Sequence, residues 1–306
     1  MSINKTVRAV ARVKEIWRYP VKSMGGESVS SCLVTASGLV GDRLWAVTDI
    51  DGDIKSARQW PRLIEMAAHY HSASAISAGL YTDEVPDVMI QLPDGANTAA
   101  RSADTAELLS AFLGRPCRLE PVRPPSDTAF YSPKKARDMA SLSVELDQLD
   151  DETALDFSQT PEEIFALLTR YMTPPGTYFD SFPLHIVSEG ALTYLASQAG
   201  VDADVRRFRP NLLLEFFDTD DPGAEFSLVG RTVRIGGATV APQGRTIRCS
   251  IPSRPQPVLG LEAAPGMTRA MVDLMQRHVG VYSNTLAPGV ISVGNEVFVD
   301  VAPQGG

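Results

Sequence analysis

The sequence contains three cysteines, and only Cys249 has neighbours that favour chemistry. Cys32 lies in an apolar stretch typical of a strand, and Cys117 follows the end of a predicted helix. Cys249 comes directly after Arg248, and Arg245 lies four residues before it in the sequence. Nearby positive charge favours the thiolate, which is the nucleophilic and metal-binding form of cysteine. The alternative is that Cys249 is simply a small buried apolar residue, the usual role of a free cysteine.

Other patterns that could carry chemistry receive little support. His69 and His71 lie two residues apart on one face of a predicted strand, but no third metal ligand is near them in sequence. The aspartate-rich turn at 49–53 lacks the closing glutamate and the flanking helices of a calcium-binding EF-hand. There is no Gly-x-Ser-x-Gly elbow, no P-loop and no dinucleotide-binding fingerprint, which argues against the corresponding enzyme classes.

The composition is that of an ordinary globular protein: 44% of the 306 residues are hydrophobic and 21% are charged. A net charge of -9 argues against a general nucleic-acid binder, although a local basic pocket can still form. Three dispersed cysteines form no disulfide framework and favour a reducing compartment. No apolar stretch approaches the ~20 residues that span a bilayer. We therefore predict a cytoplasmic protein that binds neither nucleic acid nor membranes.

Short strands separated by turns dominate the sequence. Strands are predicted at residues 13–19, 29–35, 44–48 and 54–57, and then at 184–187, 211–217, 232–235, 238–241 and 290–301. Helices are predicted at residues 105–113, 160–171, 188–198 and 267–278. The third helix starts at Ser188-Glu189, and the second starts at Thr160-Pro161. Consecutive strands without intervening helices favour an α+β, mostly antiparallel β architecture over alternating βαβ units.

A segment rich in proline and acidic residues separates two parts of the chain. Residues 121–178 contain two Pro-Pro pairs and an acidic run at 145–152, and they separate two strand-rich regions. We predict a first domain at residues 1–120, a connector with one helix at 121–178, and a second domain at 179–306.

Seven short motifs, in chain order, resemble those of the MOSC superfamily. They are Tyr19-Pro20-Val21-Lys22-Ser23, Gly41-Asp42-Arg43, Ala57-Arg58-Gln59, Arg207-Phe208-Arg209-Pro210-Asn211, Ile235-Gly236-Gly237, Arg248-Cys249 and Pro288-Gly289-Val290-Ile291-Ser292-Val293-Gly294. The resemblance extends to the larger, amidoxime-reducing members and covers most of the chain outside 121–178. It implies an N-terminal β-barrel-like domain followed by a C-terminal MOSC β-barrel domain with a few helices.

The resemblance also implies a site for the molybdenum cofactor (molybdopterin) between the two β domains. Cys249 matches the family's cysteine whose thiolate binds molybdenum, which gives it both the catalytic and the metal-binding role. The positions matching the family's phosphate- and pterin-contacting residues are Lys22, Ser23, Arg43, Arg209 and Asn211. A compact ammonium and planar guanidinium groups suit the recognition of a phosphate dianion.

Each of these residues also has a structural interpretation. Lys22 could be a solvated turn residue, and Arg43 could form a surface ion pair with Asp42. Arg209-Pro210-Asn211 could be a turn before a strand. Arg58, Arg207 and Ser188-Glu189 are interpreted as structural or outlying, and are left out of the predicted site.

The stretch after Cys249 departs from the family pattern. Amidoxime-reducing members have a Thr-Thr-x-Asp-Pro-x-Thr-Gly stretch there, whereas this chain reads Ser-Ile-Pro-Ser-Arg-Pro-Gln-Pro over residues 250–257. Because this loop directly follows the predicted metal ligand, we expect it to reshape the substrate side of the site.

The resemblance implies a molybdenum-cofactor-dependent oxidoreductase that reduces N-hydroxylated or otherwise N- or S-oxygenated small molecules. One iron–sulfur cluster normally needs four cysteine ligands, and no flavin motif is present, so an external ferredoxin or flavoprotein reductase is the expected electron donor. Two alternatives remain open. Cys249 could carry sulfur as a persulfide, with Arg245 and Arg248 lowering its pKa, or the protein could bind the pterin cofactor without catalysis.

Overall fold

The computed structural model describes residues 7–71, 79–134, 146–152 and 162–300. The strands are β1 (Val7–Arg18), β2 (Glu27–Val29), β3 (Ser31–Thr35), β4 (Gly38–Leu39), β5 (Trp45–Asp49), β6 (Ala67–His69), β7 (Met89–Gln91), β8 (Asn97–Ala99), β9 (Cys117–Pro121), β10 (Leu184–Ser188), β11 (Leu212–Phe216), β12 (Val233–Ile235), β13 (Ala238–Ile247), β14 (His278–Ala287), β15 (Gly289–Ser292) and β16 (Glu296–Asp300). The α-helices are α1 (Thr105–Leu113), α2 (Thr128–Tyr131), α3 (Glu162–Arg170), α4 (Glu189–Ala199), α5 (Val205–Phe208) and α6 (Met267–Met275). Strands of this number with few helices confirm the predicted α+β, mostly antiparallel class.

Seven strands form a closed barrel. Their order is β11-β10-β14-β13-β12-β16-β1, and a further pairing of β1 with β11 closes the ring. Only the β10–β11 pair among these runs parallel. Inward-facing aliphatic side chains such as Ile186, Val240, Val281 and Val297 are fully buried, as expected where alternate residues of each strand face the barrel interior.

The first strand belongs to this barrel although it precedes the rest of it by more than 160 residues of sequence. On one side β1 pairs with β11, with Val13 opposite Leu214; on the other it pairs with β16, with Ala9 opposite Phe298. The segment that follows β1 is therefore anchored to the barrel wall. The predicted division of the chain at residues 120 and 178 stays a prediction.

A second core lies outside the barrel, among the two-stranded sheet β5–β9, the sheet β6-β7-β8 and helix α1. It is built on Trp45, Leu63, Ile90 and Leu109, all nearly inaccessible to solvent. Part of the connector contributes to it, because Tyr131 and the neighbouring aromatic rings of 171 and 178 are buried in the same cluster. These three tyrosines of the predicted connector thus pack in the core that lies outside the barrel.

Local sequence signals explain several element boundaries. Helix α1 has the predicted bounds and ends at Gly114, whose φ of +69° is the left-handed conformation that closes many helices. Helix α4 begins after Ser188, whose hydroxyl accepts a hydrogen bond from the Ala191 N–H at 3.1 Å. Helices α4 and α6 pack together against the outside of the barrel through Leu195, Met267 and their neighbours.

Two strand predictions were wrong. Residues 290–301 form two strands in different sheets, β15 beside β3 and β16 in the barrel, because a turn at Gly294 with φ +87° separates them. Residues 54–57 contain only an isolated bridge at Ile54. The predicted N-terminal cap at Thr160-Pro161 lies outside the described residues. Among the helices that are described, none has the length and apolar character needed to cross a membrane.

Candidate functional site

A cavity lies where the barrel meets the second core. Its atom-free volume is about 680 Å³, including the opening to solvent. The structure brings all six predicted site residues to its wall: Lys22, Ser23, Arg43, Arg209, Asn211 and Cys249. Residues distant in sequence meet there because β1 and β13 finish, and β10 and β11 begin, at this side of the barrel.

Main-chain hydrogen bonds hold the segments 19–23 and 41–45 side by side. The Arg43 N–H donates to the Tyr19 carbonyl at 2.7 Å, and the Lys22 N–H donates to the Trp45 carbonyl at 2.8 Å. In return the Trp45 N–H donates to the Pro20 carbonyl at 3.1 Å. Each segment therefore fixes the position of the other, which places Lys22 and Arg43 on one wall.

Three of the cavity residues have left-handed backbone conformations. Ser23 has φ +67°, Arg43 has φ +51° and Arg209 has φ +54°. Such values are uncommon for residues other than glycine and cost of order 1–3 kcal/mol when the surrounding structure imposes them. Because all three line one cavity, the surrounding structure must hold their backbones in a conformation that these residue types normally avoid.

A buried carboxylate organises this wall from behind. Asp42 is 2% exposed, and its Oδ1 accepts a hydrogen bond from the Tyr19 N–H at 2.7 Å. Its Oδ2 accepts from the Asn211 side-chain amide at 3.1 Å and from the Arg43 guanidinium. The pairing of Arg43 with Asp42 is thus buried, and it differs from the surface ion pair considered from the sequence.

The side-chain amide of Asn211 forms hydrogen bonds that link β1, β10 and the turn containing Asp42. Its Nδ2 donates to Asp42 and, at 3.3 Å, to the Trp17 carbonyl, while its Oδ1 accepts from the His185 N–H at 3.1 Å. The Asn211 N–H also donates to the His185 carbonyl at 2.7 Å. Asn211 therefore contributes to the cavity by positioning β1, β10 and the Asp42 turn.

Arg209 lines the cavity, and its guanidinium lies beside the aromatic ring of Tyr19. Its guanidinium lies 4.3 Å from the centroid of Tyr19, and that of Arg43 lies 5.2 Å from the same ring. One Arg209 nitrogen donates to the Met24 carbonyl, whereas Nη2 is buried and has no partner among the described residues. Burial, together with the charge of Arg43, lowers the pKa of Arg209 to about 10, so the group is still charged at neutral pH.

Arg248 provides a second buried cation. Its Nη2 donates to the Phe208 carbonyl at 2.8 Å, and its Nε has no partner within the described part of the chain. Its Nη1 lies 3.4 Å from the His185 Nε2. Burial, with the charge of Arg248, holds the pKa of His185 well below its usual value, so the imidazole is neutral at pH 7.

Lys22, Arg58 and Asp180 form an ion cluster at another part of the wall. The Lys22 ammonium donates to Asp180 Oδ1 at 2.6 Å and to the Tyr178 carbonyl at 3.0 Å, and Arg58 lies 3.2 Å from Asp180 Oδ2. Burial raises the pKa of Asp180, but the charges of Arg58 and Lys22 outweigh it and hold that pKa well below its usual range. Asp180 is therefore an anion held in a cationic cavity.

Burial lowers the pKa of Lys22 to about 8, although Asp180 opposes the shift. The ammonium is therefore present below pH 8 and is lost as the pH rises through that value. We expect the affinity of the cavity for sulfate, which does not titrate in this range, to fall between about pH 7 and 9. Isothermal titration calorimetry would measure it. In Lys22→Arg the step should disappear, and a parallel decline in both proteins would contradict this role of Lys22.

Cys249 lies two residues beyond the end of β13, at the contact between the two cores. It is partly exposed and packs against the second core, whereas Cys32 and Cys117 are buried. The unusual loop 250–257 makes tight turns, and its Ile251 is buried in the same core while also lining the cavity. The loop thus forms the wall next to the thiol.

Aromatic side chains complete the cavity. Phe182 and Tyr282 stack with ring centroids 5.4 Å apart, and Tyr282 lies 5.4 Å from His185. Phe179 and Phe208 also line the space. The cavity therefore combines a cationic wall with an apolar wall suited to a flat ring system.

Several cavity residues were missed from the sequence. Arg58 was interpreted as structural, and Asp180, His185 and Tyr282 carry no spacing signal, because they reach the cavity through separate elements. Arg207 was interpreted correctly as lying outside: it is 1% exposed and binds Asp202 and loop carbonyls. Arg245 is also outside the cavity, with its guanidinium 4.5 Å from the Phe226 ring.

The sequence offered His69 and His71 only as a weak candidate for a metal site. His69 and His71 have ring centroids 6.4 Å apart, and within the described residues no group of three or more metal-ligating side chains is found. The ion cluster and the Cys249 thiol are the reactive features of the cavity.

The structure combines a barrel closed by the first strand, a second β domain and a cationic cavity beside a cysteine. Comparison with protein families identifies the class of protein that has these features. Residues 10–116 match the family model of the MOSC N-terminal beta barrel domain, and residues 174–298 match that of the MOSC domain. The chain therefore belongs to the MOSC superfamily, and the resemblance noted in its motifs is confirmed.

Curated relatives include mitochondrial amidoxime-reducing component 1 of Mus musculus, 25% identical over 229 residues, and component 2 of Rattus norvegicus, 26% identical over 224 residues. The matches cover 69% and 71% of this chain, and 57% and 61% of the relatives. The chain thus spans about three-fifths of the length of these relatives. Among solved structures, the YUAD protein of Bacillus subtilis aligns over 96% of this chain and 97% of its own, with 12% identity and a TM-score of 0.43.

Proposed function

We propose that this protein binds the molybdenum cofactor in the cationic cavity and reduces N-hydroxylated small molecules such as amidoximes. The observation that carries the proposal is the pair of buried guanidinium nitrogens, Arg209 Nη2 and Arg248 Nε, that lack partners among the described residues. A buried donor without an acceptor is costly, and more so on a charged group. An anionic ligand in the cavity would supply the missing acceptors.

The donor set fits a phosphate-bearing pterin. Lys22, Arg43 and Arg209 would hold the phosphate and pterin, and the Ser23 hydroxyl, which accepts from the Ala57 N–H at 2.9 Å, retains a proton to donate. The stacked Phe182 and Tyr282 offer an apolar surface to a ring system. Five cationic side chains and one carboxylate line this cavity, in a protein whose net charge is -9.

Cys249 fits the metal of that cofactor. A thiolate is a soft ligand, and this thiol is the partly exposed one of the three and lies beside the cationic wall. When bound, the cofactor supplies a metal centre that accepts an oxygen atom and transfers two electrons. The protein's part is to fix the cofactor's position, and to exclude bulk water with Phe182, Tyr282 and Ile251.

The relatives suggest the substrate class, since both are amidoxime-reducing components. Converting an amidoxime to an amidine consumes two electrons and two protons and releases water. These 306 residues hold three cysteines, fewer than the four ligands of an iron–sulfur cluster. We therefore propose an external electron donor, a ferredoxin or a flavoprotein reductase.

The activity can be tested with protein purified from a host that makes the cofactor. Benzamidoxime and reduced methyl viologen would serve as substrate and electron donor, with benzamidine quantified by chromatography. We expect turnover by the wild type, a rate at least about 100-fold lower for Cys249→Ser, and a normal rate for the matched control Cys117→Ser. Cofactor-loaded wild type that produces no benzamidine would contradict the proposed reaction.

A further inference from the structure

An acidic segment of the connector contacts both sides of the Cys249 loop. Residues 146–152 read Leu-Asp-Gln-Leu-Asp-Asp-Glu, and three of their carboxylates reach arginines of the second domain. We name this segment the acidic strap. In the sequence it is only part of an acidic run in the predicted connector, more than 90 residues before Cys249.

Arg277 anchors the strap. Its guanidinium donates to both oxygens of Glu152, at 2.5 and 2.6 Å, and to the carbonyls of Leu146 at 2.9 Å and Asp147 at 3.1 Å. Both side chains of the pair are nearly inaccessible, with 3% of Arg277 and 8% of Glu152 exposed. A buried, bidentate pair of this kind fixes geometry because either partner alone would be an uncompensated charge.

The same guanidinium holds the residue before the cysteine. Arg277 Nη1 also donates to the Arg248 carbonyl at 2.8 Å, and the Arg248 N–H donates to the Arg277 carbonyl at 2.9 Å. The main chain of Arg277 has φ +63°, a left-handed conformation unusual for this residue type. Arg277 is thus bonded at once to the strap and to the main chain immediately before Cys249.

The strap also contacts the residues after the cysteine. Asp147 Oδ2 accepts a hydrogen bond from the Ser250 hydroxyl, and it lies 3.4 Å from Arg254 Nη2. Ser250 and Arg254 belong to the proline-rich loop that distinguishes this chain from its relatives. The loop is therefore tied to the strap on the far side of Cys249, as Arg248 is on the near side.

We infer that the acidic strap, through Glu152 and Asp147, is a positioning element that holds the Cys249 thiol in place between Arg248 and Ser250. The strap would position the Cys249 thiol whether or not that thiol binds a metal. Glu152, Asp147 and Arg277 are positioning residues, since they act through the main chain and the side chains that flank Cys249.

The alkylation rate of Cys249 tests this directly in the full-length chain without cofactor. Iodoacetamide labelling followed by peptide mass spectrometry would report each cysteine separately, and the buried Cys32 and Cys117 would report global opening. In Glu152→Gln and Asp147→Ala we expect labelling of Cys249 to rise about tenfold, equivalent to about 1.4 kcal/mol of easier local opening. Cys32 and Cys117 should keep their wild-type rates.

Asp151→Asn is the matched control, because Asp151 lies on the same strap but, within the described parts of the chain, its carboxylate pairs with Arg269, at 2.7 Å, and not with the residues that flank Cys249. It should leave the labelling of Cys249 unchanged. Arg277→Lys keeps the positive charge but removes the planar guanidinium that bonds both oxygens of Glu152. It should therefore raise the labelling of Cys249 as Glu152→Gln does. An unchanged rate at Cys249 in the strap variants, or a rise shared equally by all three cysteines, would overturn the inference.

Discussion

Replacing Arg209 by glycine is expected to weaken the binding of the cofactor about 100-fold while preserving the fold. The guanidinium lines the cavity, and one buried nitrogen has no partner in the described ranges, so its removal takes away charge and donors that the ligand would use. Glycine suits the position because its backbone has φ +54°. The substitution therefore separates the loss of the side chain from any disturbance of the backbone.

The measurement for Arg209→Gly is the pterin content per chain before and after dialysis, read by fluorescence of the released pterin. Arg206→Ala is the control: it removes an arginine from the same short helix, α5, that pairs with Asp204 outside the cavity. Wild-type pterin retention in Arg209→Gly would show that the unpartnered nitrogen does not serve the ligand.

Replacing Asp42 by alanine is expected to lower the free energy of unfolding by about 3–5 kcal/mol, because it removes one partner of a buried ion pair. The carboxylate accepts hydrogen bonds from Tyr19, Asn211 and Arg43. Without it, Arg43 and Arg209 lie against the same aromatic ring with less negative charge to offset them. The change should also displace Arg43 and reduce binding of anions.

Urea-induced unfolding would measure the effect of Asp42→Ala. Asp51→Ala is the matched control, since Asp51 is an exposed aspartate in a surface turn and should change the free energy of unfolding by less than about 0.5 kcal/mol. If Asp42→Ala were as stable as this control, the cavity wall would not depend on the buried carboxylate.

The candidate site residues were predicted because their short motifs resemble those of the MOSC superfamily, and the structure brings these motifs to one cavity. Their conformation could not be predicted from local sequence, because the left-handed backbones of Ser23, Arg43 and Arg209 are imposed by the surrounding structure. The strand, turn and helix signals were sufficient for the fold class and for helix α1. They gave no indication that β1 would close the barrel, which depends on long-range pairing with β11 and β16.

The remaining contributions depend on contacts across long sequence separations. Asp180 meets Lys22 over 158 residues, and Glu152 meets Arg277 over 125 residues. An isolated carboxylate in a connector carries no signal of such a partner. The sequence also suggested Asn211 as a ligand-contacting residue, whereas the structure shows its amide engaged with Trp17, Asp42 and His185. Whether it also contacts the cofactor stays a prediction.

The most direct test of the account is the molybdenum content per chain, measured by elemental mass spectrometry on wild type and Cys249→Ala from a host that makes the cofactor. Released pterin fluorescence would be measured on the same samples. We predict near-stoichiometric metal and pterin in the wild type, with the metal lost or readily removed in Cys249→Ala. A folded wild-type protein that contains neither metal nor pterin would contradict the proposal that this cavity binds the molybdenum cofactor.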